Sequence, residues 1–369
     1  TLIESKVDFS NESGREGTYV GSKWGNLHLR APLVYYKLIE RGRGKLGPLR
    51  HLCSLKRGEK TANHDYFILK EIQGNGKKNG LVLLKNGLGH RTLMEERFAP
   101  LVLQDPEDVS SYFITPGDIR FRMFRCKEDK AHLKGTYALR YVEWAETSPD
   151  SKVKVLKGKR RGKLVRVPDL ATACSRARWY EISDTKPSKI LLPNLVKNRH
   201  VIPLSEIPLY AYHNFFCLYA TDEIDLWLYL NSSVFRLFME LYGRSEGAGA
   251  LQVMGYEYDQ CPVIDPLPIL SRKFKHLEHF KSRTAYRIVN IAEQAPLEFE
   301  QEDRRELDDL VLQELGFQDP EERLKVLSEM YEWLQTRARE RLTKPKTAPE
   351  SVAKAVGKRL KEADLREFQ

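Results

Sequence analysis

The sequence predicts an α+β protein: a strand-rich body with interspersed helices, followed by a helical C-terminal tail. Three observations carry this. Between Leu49 and Ala220 the apolar residues come in short alternating or clustered runs of strand length, broken by polar and glycine-bearing turns. The stretch from Asp222 to Tyr242 is apolar almost all round and reads as one buried helix. Beyond Pro262, Pro266 and Pro268 the apolar spacing becomes helical. There is no strand–helix alternation of the doubly wound kind and no internal repeat.

The elements follow in order. Residues 1–30 read as an extended connector. "APLVYYKLIERGRG" reads as a short helix, with Pro32 in its first turn, Leu33, Tyr36, Leu38 and Ile39 on its apolar side, and Gly42 and Gly44 ending it. Leu49 to Leu69 reads as two strands around the polar loop "RGEKTANH", and "QGNGKKNG" as a turn before the strand "LVLLK". "DIRFRMFRC" alternates at period two, which predicts a strand with one cationic face. "GTYALRYVEWAE" is helical. Residues 151–170 carry eight Lys/Arg against the single acid Asp169, and are expected as an exposed loop or hairpin. Strands follow at "KILLP" and "LYAYHNFFCLYA". The long apolar helix is capped by Asp222 and ended by Gly243. In the tail, Leu307, Leu310, Val311 and Leu315, then Leu324, Leu327, Tyr331 and Leu334, mark two helices; one more is expected after "TKPKTAPE".

Composition narrows the function classes. The chain has 369 residues, enough for two or three domains, and 41% hydrophobic residues, enough for a real core. The net charge is +10, yet residues 301–369 hold 14 Lys/Arg against 16 Asp/Glu, so the first 300 residues carry the entire surplus, +12. A basic body with a balanced tail points to a polyanionic partner. No apolar run reaches the roughly 18 residues of a membrane span. Cys53, Cys126, Cys174, Cys217 and Cys261 are widely spaced and odd in number, with no CxxC. That speaks against a disulfide framework or structural zinc and for a reducing cytoplasm. The chain starts without Met, so a fragment or trimmed chain is expected.

Several motifs are decoys. "GRGKLG" matches a dinucleotide glycine pattern, but a helix precedes it and Pro48 follows. "GNGKKNG" lacks the Lys–Ser/Thr ending of a phosphate loop. "HLEH" has no third ligand near it and reads as a solvated face. Three stretches weigh more. In "KVKVLKGKRRGKLVRV", Lys159, Arg160, Arg161 and Lys163 sit in a cluster suited to gripping phosphates. In "CSRARWYEI", Arg176 and Arg178 stand beside Trp179 and Tyr180, and such arginines can fork onto guanine edges. For Trp179 itself a core position is the simpler reading. "LKRGEKTANHDYFIL" sets Arg57, Lys60 and Thr61 in a loop suited to positioning phosphates, and suited equally to an ordinary polar hairpin. A fourth, "GRSEGAGA" after Tyr242, could cradle a phosphate, face a polyanion with Arg244, or only turn the chain.

Taken in order, "WGNLHLRAP", the run from Leu46 or Leu49 to "LKRGEKT", "YVEWAE", "SRARWY", "LNSSVFRLFMELYGR" and "DRRELDDLVLQELG" resemble one family. The series is similar to the C-terminal half of adenine-N6 DNA methyltransferases of restriction–modification systems: a TaqI-like target recognition domain plus helical tail. The resemblance runs from Trp24 to about Leu342. The family loop G-I-K-T-G-A-N-x-F-F is altered here, with Ala62 at the second glycine and His64 at the asparagine. No Pro-Pro dipeptide is present, so the N-P-P-Y-type motif that grips the flipped adenine is missing.

The resemblance implies a connector (1–45), a DNA target recognition domain (46–270) and a helical tail (271–369). It implies sequence-specific binding of double-stranded DNA, no catalysis by this chain alone, and S-adenosylmethionine bound by a catalytic domain or methylase subunit outside it. Arg57, Lys60, Thr61, Lys159, Arg160, Arg161, Lys163, Arg176, Arg178 and Arg244 are the candidate DNA contacts, with Trp179 and Tyr180 as braces. The alternatives are a standalone specificity or accessory subunit that recruits a separate methylase, an RNA-binding protein, and a scaffold without nucleic-acid affinity.

Overall fold

The computed structural model describes residues 31–72, 79–109, 111–156, 158–197, 199–246, 249–283 and 299–343. The α+β class holds: two main sheets and a helical layer. The connector before residue 31, most of "QGNGKKNG" and the helix expected after residue 343 lie outside the described residues.

The larger sheet has six strands. Cys53–Arg57 forms one edge, followed by Phe215–Ala220, Ser188–Pro193 and Leu204–Ala211, all antiparallel. The short strands Val102–Leu103 and Phe113–Ile114 pair with the last in parallel. Alternation decides its two faces. Ile190, Leu192, Phe216 and Leu218 face the helical layer, whereas Leu191, Phe215 and Cys217 face a small second core with Ile114 and Ile119. The smaller sheet runs Arg91–Glu95, Leu81–Asn86, Ile68–Glu71, Phe121–Met123, antiparallel throughout.

Six helices of eight or more residues occur among the described residues: α1 (Leu33–Arg41), α2 (Tyr137–Thr147), α3 (Glu223–Leu230), α4 (Ser233–Tyr242), α5 (Glu302–Leu315) and α6 (Pro320–Thr343). α2 covers the smaller sheet. Its Tyr141 stacks on Tyr66 at 4.6 Å, donates to the Tyr66 carbonyl at 2.6 Å, and accepts from Asn86. The other five share one core with the larger sheet.

Four expectations need correction. α1 buries Val34, Tyr35 and Leu38, while Leu33 is 79% exposed; Pro32 precedes the helix. Its phase is set by Tyr35 packing edge-on to Phe238. The apolar helix expected from Asp222 to Tyr242 is two helices, α3 and α4. Asn231 breaks it: its buried amide bonds to both backbone groups of Ile202 and to the Trp227 carbonyl, and Ser232 then caps the Phe235 amide. "DIRFRMFRC" yields only the strand Phe121–Met123, and its cationic face is absent. Arg122 is buried, bonded to Glu71 at 2.8 Å, the Ala99 carbonyl at 2.8 Å and Glu96 at 3.3 Å. Leu324 is 58% exposed, although Leu327 and Leu334 are buried as expected.

The tail is fastened to the rest by charge as well as by packing. Lys37 and Arg41 of α1 pair with Glu329 and Glu322 of α6. His276 pairs with Glu306 and His279 with Asp303, so "HLEH" meets α5 and is not a solvated face. Glu240 of α4 is buried, 1% exposed, and its Oε1 accepts from Arg236 and from Arg341 of α6, each at 2.7 Å. Burial opposes its charge, yet the two guanidinium groups hold its carboxyl below the usual range. Replacing it strands two buried cations. Glu240→Leu should therefore cost about 3–5 kcal/mol in urea unfolding, whereas Glu322→Ala, at a half-exposed pair, should cost under about 1 kcal/mol.

Candidate nucleic-acid interface

The two strands expected around "RGEKTANH" do not pair. Cys53–Arg57 belongs to the larger sheet and Ile68–Glu71 to the smaller, so the loop between them is the crossover joining both sheets. This corrects the hairpin reading, and the cause is a tertiary contact. Gly58 lies so close to the neighbouring turn that a Cβ would sit 2.3 Å from the Tyr212 carbonyl oxygen. The amides of Gly58 and Glu59 donate to Phe215 and Ala211. Glu59 is buried, and its carboxylate accepts from Arg125 at 2.6 Å, from the Ser183 hydroxyl and from the Thr185 amide. Arg125 in turn lies over the Tyr210 ring at 4.2 Å. Asn63 accepts from the Tyr66 amide and starts the short helix His64–Phe67.

That crossover gathers basic groups from distant parts of the chain. Arg57 and Lys60 are exposed and Thr61 is half-buried. Arg57 Nε donates to the His213 carbonyl at 3.2 Å, and its guanidinium sits 6.0 Å from the Phe216 ring centre. Arg176 reaches the same loop, donating to the carbonyls of Lys60 (3.4 Å) and Glu181 (2.7 Å) and lying over Phe67. Burial lowers its hold on its proton, with nearby Glu59 opposing. Thr172 donates to the Ala62 carbonyl. Arg178 pairs with the Glu181 carboxylate at 3.1 Å. Both arginines of "SRARWY" therefore spend bonds on Glu181. Trp179 donates to Glu146 and packs beside Tyr66; Tyr180 is buried and donates to the Glu128 carbonyl.

The basic segment is a hairpin, Lys152–Lys154 against Leu164–Arg166. Val153 anchors it in the smaller core, and Arg166 donates to the Glu146 carbonyl. Its turn takes left-handed glycines at Gly158 and Gly162. Lys159, Arg160, Arg161 and Lys163 are all exposed. Arg160 reaches the Asp169 carbonyl at 2.7 Å, while Lys159, Arg161 and Lys163 make no ion pair with a described residue. The segment from Asp169 to Arg176 thus touches the hairpin through Arg160 and the crossover through Thr172 and Arg176.

Arg244 lies apart. Arg244–Ser245 and Leu251–Gln252 pair as a small ladder with Leu195–Val196. Arg244 Nε meets the buried Glu257 at 3.2 Å. Gly243 is crowded by the Met239 and Gln252 carbonyls, and Arg341 of α6 donates to the Gly249 carbonyl at 2.7 Å. At its described ends the loop is packed at Gly243 and tied to the tail at Gly249; Gly247 and Ala248 are outside the described residues.

Glu59, Arg125 and His213 did not stand out in the sequence. Glu59 and Arg125 are 66 positions apart, and His213 is a lone histidine in a turn, so no spacing announces them. A cleft of about 510 Å³ beside the smaller sheet is lined by Lys70, Glu71, Arg120 and Arg122, with Arg122 already paired. Among the described residues no three His, Cys, Asp or Glu side chains converge to hold a metal, and no helix is long and apolar enough to cross a membrane.

No family model and no curated protein sequence matches the chain. Among solved structures, its fold is similar to that of the type IIG restriction endonuclease BpuSI, with a TM-score of 0.53 and 12% sequence identity. The match covers 86% of this chain and 33% of that one, so the chain spans about a third of the enzyme's length. At this identity the likeness is one of fold.

The crossover geometry has a direct test. Gly58→Ala forces a methyl group into the Tyr212 backbone and should cost about 1–3 kcal/mol, with faster amide exchange at Glu59. Gly117→Ala, whose added carbon meets only Thr115 Oγ1 at 3.7 Å, should fold as the parent does.

Proposed function

We propose that this chain is the DNA target recognition part of a restriction–modification adenine-N6 methyltransferase. S-adenosylmethionine and the reacting adenine would be held by a catalytic domain or methylase subunit outside these residues. The observation that carries the reading is a set of cations without internal counter-charge. Lys60 on the crossover and Lys159, Arg161 and Lys163 on the hairpin are exposed and make no ion pair with a described residue, and Asp169 to Arg176 links the two groups. Desolvated ion pairs would have no use for such groups; phosphates do. The fold likeness to a restriction endonuclease agrees with this.

Roles can be divided by what each side chain is free to do. Lys159, Arg160, Arg161 and Lys163 grip phosphates, and Arg57, Lys60 and Thr61 line the recognition loop. Arg178 is the better base reader of its pair. Its contact with Glu181 is a partly exposed i,i+3 ion pair, the weak kind that exchanges for a guanine edge. Arg176 holds the Lys60 loop in position from beneath. Arg244 braces its own turn against Glu257. Duplex DNA is favoured over single-stranded RNA because the Trp179 and Tyr180 rings pack into the body, so this pair offers no platform for unstacked bases.

Four neutralised phosphates give a log–log salt slope of roughly −3.6 for duplex binding by the chain alone. Replacing Lys159, Arg160, Arg161 and Lys163 with Ala should flatten that slope in fluorescence-anisotropy titrations, leaving only the contribution of the crossover cations. Absence of duplex binding by the parent chain at low salt would leave the scaffold alternative standing.

A further inference from the structure

Two imidazoles near the crossover are not used by the reading above. His213 lies in the turn between Leu204–Ala211 and Phe215–Ala220, and its carbonyl accepts from Arg57 Nε at 3.2 Å. Its ring meets Tyr212 at 4.3 Å between centres; His64 meets the other flank of this junction, 5.3 Å from the same Tyr212 ring. His213 Nδ1 is buried with no hydrogen-bond partner. Arg57 reaches this turn from the edge strand and Lys60 from the crossover, so the His213 ring sits among cations. Two acids lie nearby. Asp65 is 3.6 Å from His64 Nδ1, and Asp105 is held by Asn214 at 3.2 Å.

We propose that Arg57, Lys60, His64 and His213 form a phosphodiester-binding cleft that takes up a proton when duplex DNA is seated in it. The inference rests on the DNA-binding reading and adds to it a ligand group, a place and a proton. The physical logic is one of charge balance. In the free protein burial pushes the His213 ring below its ordinary pKa, and the neighbouring Arg57 and Lys60 push the same way. A phosphodiester brought against the cluster reverses that field. It favours the charged imidazole, in which both ring nitrogens carry a proton and the ring gains a positive charge to pair with the phosphate. No bond is made or broken beyond the transferred proton, which comes from solvent.

The sign follows from linkage. The free ring has its pKa below the ordinary ~6.5 and the bound ring has it raised, so the complex carries more protons than its parts across the interval between them. Affinity therefore rises as pH falls through that interval and levels off above it. Binding of a duplex oligonucleotide to the full chain, followed by calorimetry near pH ~6.5 in two buffers of different ionisation enthalpy, reads the proton directly. The expected result is net proton uptake, with a Kd that weakens roughly three- to tenfold from pH ~6 to ~7. In His64→Gln/His213→Gln the uptake should vanish and the Kd should lose its pH dependence, while the salt dependence from the hairpin cations persists. Duplex binding by the parent chain without proton uptake overturns the cleft and leaves the DNA reading intact; that measurement needs no variant. Uptake that survives in the double variant overturns it as well. No duplex binding at any pH overturns the DNA reading itself.

Discussion

The buried pair between Glu59 and Arg125 is the constraint on which the rest of the surface depends. A carboxylate at 1% exposure is costly unless its lone pairs are filled, and here Arg125, Ser183 and Thr185 fill them. Removing one partner of such a pair typically costs about 3–5 kcal/mol, because the other charge stays buried. That penalty gives the crossover a single path. With Glu59 turned inward and Gly58 pressed on the Tyr212 backbone, the adjacent Arg57 and Lys60 are left at the surface.

A second ionic cluster performs the same task at the opposite end of the sequence. Arg341 of α6 bonds to Glu240 of α4 and to the carbonyl of Gly249, so the tail helix and the glycine turn are set by one guanidinium. α1 completes the layer through Lys37 and Arg41 on α6. The first described helix and the last share a core with the larger sheet, and the basic hairpin is left on the other side of the crossover, rooted in the smaller core through Val153.

Charge at this surface divides by partner. Arg122, Arg125 and Arg236 are consumed by the fold, each bonded to a carboxylate. Arg176 is consumed by carbonyls. Lys60, Lys159, Arg161 and Lys163 are not consumed, and only such groups can release counterions on meeting a polyanion. A count of basic residues overstates the binding charge, since the same residue types serve both ends.

By itself the sequence determined the α+β class, the helical spacing of α2, α5 and α6, the exposed basic segment at 151–170 and the location of the cationic surplus. Each of these is written in local periodicity or local composition, which neighbours along the chain enforce. The break at Asn231, the phase of α1, the burial of Arg122 and the crossover at Gly58 were decided by tertiary contacts. Their partners, Ile202, Phe238, Glu71 and Tyr212, lie tens to hundreds of positions away. The same holds for the interface. Spacing identifies an arginine, but whether its charge faces water or a buried carboxylate depends on which distant side chain the folded chain brings within 3 Å, and no pattern along the chain encodes that distance.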